Sequence, residues 1–191
     1  DVSAIAAGTP VEYRAIVVEH DNDLGVATTS AVAGVPAPPT GGDGGGGGPV
    51  EQPAEVAVPG SHNSELGCVT DTGAPEDWAP WCDQAQMTRN ANDDVWRLAA
   101  TLPAGGYAFK AAINRSWDEN YGAGGARNGS DIPFEHPGGP VTFYYDHGTH
   151  WITNDVLDPI ITAPGNFQSE LGCSSDWAPD CMRSWLQDPD G

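Results

Sequence analysis

Apolar and polar side chains alternate along residues 107–114. Tyr107, Phe109, Ala111 and Ile113 fall on one face, and Ala108, Lys110, Ala112 and Asn114 on the other. A period of two predicts a half-buried strand. The same pattern predicts Val95–Leu102, with Trp96, Leu98, Ala100 and Leu102 together, and Val141–Asp146, with Val141, Phe143 and Tyr145 together. Shorter strands are expected at Glu55–Pro59 and near His150–Thr153. Leu102-Pro103-Ala104-Gly105-Gly106-Tyr107 has the composition of a tight hairpin connection. Near the start, VEYRAIVVEH and GVATTSAVAGV predict two further strands about the turn DNDLG. About 100 residues of short antiparallel strands predict an all-β fold, a β-sandwich.

The strand at 107–114 runs into Arg115-Ser116-Trp117-Asp118-Glu119-Asn120-Tyr121-Gly122. Flat rings beside amide and carboxylate groups suit a sugar, whose apolar face stacks while its hydroxyls are hydrogen-bonded. Composition narrows the field further. The 191 residues include 25 Gly and 17 Pro, so much of the chain is turn, loop or linker. VPAPPTGGDGGGGGPVEQPA, residues 35–54, reads as a linker, stiff where proline dominates and flexible where glycine does. With 27 acidic and 7 basic residues the formal charge is −20. Such a polyanion is repelled by nucleic acid and by anionic membranes, whereas neutral glucans remain open as partners. Lys110 is the one lysine. No apolar run approaches the roughly 20 residues that span a bilayer, and no signal peptide is visible at Asp1.

An internal repeat organises the cysteines. Ser64–Cys68 (SELGC) recurs as Ser169–Cys173, Asp77–Cys82 (DWAPWC) as Asp176–Cys181 (DWAPDC), and Pro59-Gly60 as Pro164-Gly165. The period is near 105 residues, which indicates tandem domains. Thirteen residues lie between Cys68 and Cys82 and seven between Cys173 and Cys181, so the second loop is six shorter. Four cysteines allow three pairings; repeat symmetry favours Cys68–Cys82 and Cys173–Cys181. Neither spacing matches a compact zinc knuckle. Disulfides imply an oxidising compartment and hence secretion.

Taken together, SELGC, DWAP, LPAGGYAFKAAINRSWDENYG and VTFYYDHGTH resemble the starch-associated accessory modules of bacterial pullulanases and amylopullulanases. The resemblance covers residues 55–158 and the opening third of a second copy at 159–191, so the chain is expected to end inside a module. Residues 1–34 resemble the end of a fibronectin type III domain, with Tyr13 as the corner tyrosine. The family implies an immunoglobulin-like sandwich with no catalysis or cofactor of its own, lying beside the catalytic domains of its parent enzyme. It also implies α-glucan ligands (starch, pullulan, maltooligosaccharides) held by tryptophan and a basic or amide side chain. Carried over, the candidates are Trp117, Lys110 and Asn120, then Tyr121 and Trp78. Each has a structural alternative: Trp117 as partial core, Lys110 as an ion pair with Asp118 or Glu119, Asn120 and Tyr121 as loop closure, and Trp78 as a plug beside a disulfide. Asp118 and Glu119 are adjacent in sequence and do not flank a glycosidic bond as catalytic carboxylates must. A metal at Asp146, His147 and His150 lacks a further ligand cluster, and DNDLG lacks the later ligands of a calcium loop. The competing functions are a structural spacer between catalytic domains and a surface-adhesion sandwich.

Overall fold

The computed structural model describes residues 10–18, 24–32 and 50–187, with side chains described from residue 50 onward. The chain divides into two compact units, Asp1–Pro49 and Val50–Gly191. In the first, β1 (Pro10–Val18) and β2 (Leu24–Val32) form an antiparallel pair in which Pro10 faces Val32 and Val18 faces Leu24. The Asp21–Asp23 turn, the Tyr13 side chain and most of the expected linker lie outside the described residues.

The second unit is all-β. Its strands are β3 (Val56–Ala57), β4 (Thr88–Arg89), β5 (Val95–Leu102), β6 (Gly105–Phe109), β7 (Ala111–Ile113), β8 (Asn120–Tyr121), β9 (Ile132–His136), β10 (Gly139–Asp146) and β11 (Ile152–Asn154). One sheet has the order β11-β10-β5-β4. Facing it are β3-β7-β8 and the pair β6-β9, and every strand pairing is antiparallel. Phe109 of β6 packs edge-on to Phe143 of β10 at 5.1 Å and to Phe134 of β9 at 5.5 Å, closing the core between the layers. Val56, Val58, Trp96, Leu102, Ile113, Val141, Tyr145 and Ile152 complete it. The inward faces expected on β5 and β10 are buried or partly buried; β10 alternates strictly, whereas β5 also buries Val95 at its start.

Two expectations are corrected. Residues 107–114 are not one strand but two, divided at Lys110: β6 pairs with β9, whereas β7 pairs with β3 and β8. Pro59 sits opposite the break. It has no N–H for a ladder and offers only its carbonyl, which the Lys110 N–H takes at 3.0 Å. Beside it, Gly60 bridges Phe109, and a Cβ there would lie 2.4 Å from the Ala108 carbonyl oxygen, so the close approach requires glycine. Likewise, residues 102–107 are not a hairpin. They carry the chain from one layer to the other, since β5 pairs with β10 and β4.

Residues 160–187 fold against this sandwich and repeat its disulfide corner. Both bridges are those favoured by symmetry, Cys68–Cys82 and Cys173–Cys181. In the first corner Asn63 Oδ1 accepts from the Gly60 and Ala79 N–H groups; in the second, Gln168 Oε1 accepts from Gly165 and Ala178. Asp77 caps the Ser64 N–H and Asp176 the Ser169 N–H. The two corners therefore use one hydrogen-bonding plan despite loops of different length.

Candidate functional site

The loop after β7 leaves the sheet through two consecutive left-handed residues, Asn114 (φ 52°) and Arg115 (φ 58°). Asn114 stabilises its own conformation by exchanging hydrogen bonds with Glu55: its N–H reaches the Glu55 carbonyl at 2.9 Å, and its Oδ1 accepts from the Glu55 N–H at 3.2 Å. Arg115 is a staple that sequence reading missed. It bonds Glu55 Oε1 at 2.9 Å, Asp83 Oδ1 at 2.7 Å and the Trp81 carbonyl at 2.9 Å. The loop after β7 is thus tied to the Cys68–Cys82 corner. Nothing in the local pattern signals this, because the partners lie 32 and 60 residues away.

That tie brings together two of the expected site residues. The indoles of Trp117 and Trp78 lie 6.4 Å apart, tilted by 38°, and both are half-buried. Trp78 is held in a left-handed conformation (φ 56°) by its N–H bond to the Gly60 carbonyl at 2.9 Å. Its counterpart Trp177 has nearly the same backbone (φ 55°) and the same bond, to Gly165. With no ring against it among the described residues, Trp177 is 69% exposed. The comparison separates the parts: the corner sets the direction of the indole, and Trp117 half-covers it.

Lys110 lies at the break between β6 and β7, and its backbone is bonded to the Pro59 that precedes the anchor of Trp78. Among the described residues its ammonium makes no hydrogen bond or ion pair; the alternative partner Glu119 instead accepts from the Tyr121 hydroxyl at 2.8 Å. An ammonium without a partner is a free donor for a hydroxyl group.

Asn120 and Tyr121 take the loop-closing positions that stood as their structural alternative. Asn120 is buried, and its Nδ2 donates to the Trp117 carbonyl at 3.0 Å and to Asn128 Oδ1 at 2.9 Å. It closes the loop that presents Trp117 and does not itself face solvent. Tyr121 is buried with its ring stacked on His150, centroids 3.8 Å apart and planes 7° apart. Burial and the Glu119 carboxylate push its hydroxyl up to about 12, so it stays a neutral donor. In this structure both side chains act as scaffold. The loop needs internal partners for its backbone, and these two side chains supply them.

His147 and His150 turn Nδ1 toward the Tyr145 hydroxyl, at 3.0 and 3.1 Å. Among the described residues no group of three or more His, Cys, Asp or Glu side chains could hold a metal ion. Nor is any helix long and apolar enough to cross a membrane.

Comparison with known proteins places the chain in a family. Residues 55–152 and 160–191 match the family described as "Pullulanase X25 domain". Amylopullulanase of Thermoanaerobacterium thermosulfurigenes is 40% identical over 95 residues, which is 49% of this chain and 5% of that protein. Amylopullulanase of Thermoanaerobacter thermohydrosulfuricus is 39% identical over 95 residues, again 49% of this chain and 6% of that protein. The chain thus matches only a small part of these relatives. Among solved structures, Pullulanase from Bacillus acidopullulyticus is similar with 28% identity and a TM-score of 0.48, over 59% of this chain and 13% of that one.

Proposed function

This chain belongs to the pullulanase X25 domain family, and we propose that it is a non-catalytic accessory part of a secreted starch- or pullulan-degrading enzyme that holds α-glucan weakly. Residues 55–158 are the complete module, 159–191 the opening of a second copy, 35–54 a linker, and 1–34 the end of a fibronectin type III-like domain. The observation that carries the reading is the half-buried Trp78–Trp117 pair. Two tilted indoles offer apolar faces to successive glucose units of a curved α-glucan. Lys110 donates to a hydroxyl and fixes the register. A neutral ligand also avoids the repulsion that the net charge of −20 would exert on an anionic one. Two indoles and one donor support a dissociation constant of about 0.1–1 mM, a free energy near −4 to −5.5 kcal/mol. Tandem copies raise such weak binding through effective concentration.

The test is calorimetric titration of the whole chain with maltoheptaose and with pullulan, repeated on Trp117→Ala. Heat that is lost in the variant supports the reading. A folded wild-type chain that takes up neither glucan at 5–10 times the higher dissociation constant estimated above would leave the spacer role in front.

A further inference from the structure

The Cys68–Cys82 loop sets an exposed indole beside carboxylate and hydroxyl groups. Within it Val69 bridges Pro75, the Thr70 and Ala74 backbones are hydrogen-bonded, and the Glu76 N–H returns to the Cys68 carbonyl at 3.0 Å. The result is a closed miniature hairpin inside the disulfide. Against it lies an open cleft of about 280 Å³ lined by Thr70, Asp71, Thr72, Glu76 and Trp81. Trp81 is 51% exposed, and its indole N–H is fixed by Glu76 Oε2 at 3.2 Å. The Arg115 bond to its carbonyl holds it from behind. An exposed ring immobilised at its N–H and its backbone, beside carboxylate and hydroxyl groups, is a preorganised stacking face.

The second copy sharpens the point. Matching Val69-Thr70 to Ser174-Ser175 and Asp77 to Asp176 leaves Asp71–Glu76 without a counterpart, and Asp180 stands in place of Trp81. The second corner nonetheless keeps its disulfide, its Asp176 cap and the conformation of Trp177. The disulfide corner forms without the six residues and without the indole, so folding does not account for them.

We infer that this cleft is a second glucan-binding site, one pyranose in extent. The sugar stacks on Trp81 while Asp71 and Glu76 accept from its hydroxyls and the Thr70 and Thr72 hydroxyls complete the shell. The lining contains no cation, so anionic sugars and phosphates are excluded. The choice of glucan rests on the function proposed above, whereas the location does not. The test follows the indole N–H signals of the ¹⁵N-labelled chain during titration with maltoheptaose, with Trp81 and Trp117 assigned through Trp81→Phe and Trp117→Phe. The Trp81 signal should shift saturably, and should still do so in Trp117→Ala. Trp81→Ala should weaken overall binding about threefold to tenfold, the scale of one aromatic contact. A Trp117 signal that moves while Trp81 stays fixed overturns this inference and leaves the first site standing; the reverse pattern supports the cleft and overturns the first site. Movement of Trp81 with calcium chloride but not with sugar would make the cleft a cation site and also overturn it.

Discussion

Acidifying this protein should destabilise it chiefly through one buried imidazole. His62 is 0% exposed, stacked on Phe143 with centroids 4.9 Å apart and planes 15° apart. Its Nε2 lies 3.5 Å from Asn63 Nδ2, and its Nδ1 has no partner among the described residues. A cationic ring would present N–H groups with no acceptor. Burial accordingly holds its pKa down to about 4, with the Asp77 carboxylate only partly offsetting the effect. The folded value lies below the unfolded one, near 6.5, so between them the unfolded chain binds more protons. The stabilisation is present above 6.5 and is lost as pH falls toward 4. At 1.36 kcal/mol per pH unit the full loss is about 3 kcal/mol, of which about 2 kcal/mol is gone by pH 5. The matching position in the second copy is Phe167, which makes His62→Phe the natural control. All seven tryptophans lie between residues 78 and 185, so indole fluorescence in urea reports the second unit alone. Between pH 7 and pH 5 the wild-type chain should lose about 2 kcal/mol more than His62→Phe does. His147 and His150, also lowered chiefly by burial, leave a shared residual slope in both proteins. Parallel pH profiles, or a His62 ring that titrates near 6.5 by NMR, would refute the argument.

Two further predictions concern the scaffold. The double change Cys68→Ser and Cys82→Ser opens a bridge of sequence separation 14 between two buried residues. It should cost about 3 kcal/mol in urea unfolding, against slightly less for the Cys173–Cys181 bridge, and an unchanged midpoint would show that the corner is held by its hydrogen bonds alone. Gly122→Ala places a Cβ 2.1 Å from the Ser130 carbonyl oxygen and 2.8 Å from the Gly129 backbone. It should destabilise by about 2–3 kcal/mol. Gly105→Ala, whose Cβ would meet only the Tyr107 ring at 3.5 Å, should stay within about 0.5 kcal/mol; equal thermal shifts for the two variants would count against the steric account.

How much of this was legible in the sequence depends on the range of the interaction. The β5 bounds and the inward faces of β5 and β10 follow from alternation alone, since each strand has one dry side and one wet side. β9, IPFEH, went unread because Pro133 within it argues against a ladder; the structure accommodates the proline by placing the strand at a sheet edge, paired only with β6. β4 and β8 have two residues each, too few for any period. The break at Lys110 was invisible because Phe109, Ala111 and Ile113 keep their alternation while the neighbouring strand changes. The site divides in the same way. Trp117 on a polar loop could be singled out locally, but its pairing with Trp78 depends on Arg115 reaching Asp83 and Glu55. Asn120 looked like a surface amide because sequence does not reveal that Asn128 waits beneath it.

The repeated corner also bears on how tandem copies act. Residues 160–187 do not hang free of the first sandwich. The Met182 N–H meets Asp93 Oδ2 at 3.3 Å, Arg183 pairs with Asp94 at 2.7 Å and bonds the Asn92 carbonyl at 2.9 Å, and Gln187 reaches Asp146 at 2.8 Å. Trp185 lies against Tyr144. The Asp93 carboxylate is almost fully buried and is also bonded to Arg97 at 2.6 Å, a bond made within the first sandwich. A partly exposed ion pair such as Arg183–Asp94 contributes only about 0.2–1 kcal/mol. The joint is nevertheless made by several such contacts, and these fix orientation as well as distance. Effective concentration between copies is then governed by a set spacing instead of by the length of a flexible tether. A set spacing favours a ligand whose repeat matches it and penalises one that does not. Under the proposed function, an array of weak sites joined in this way would gain a selectivity for glucan shape that a single weakly binding module lacks.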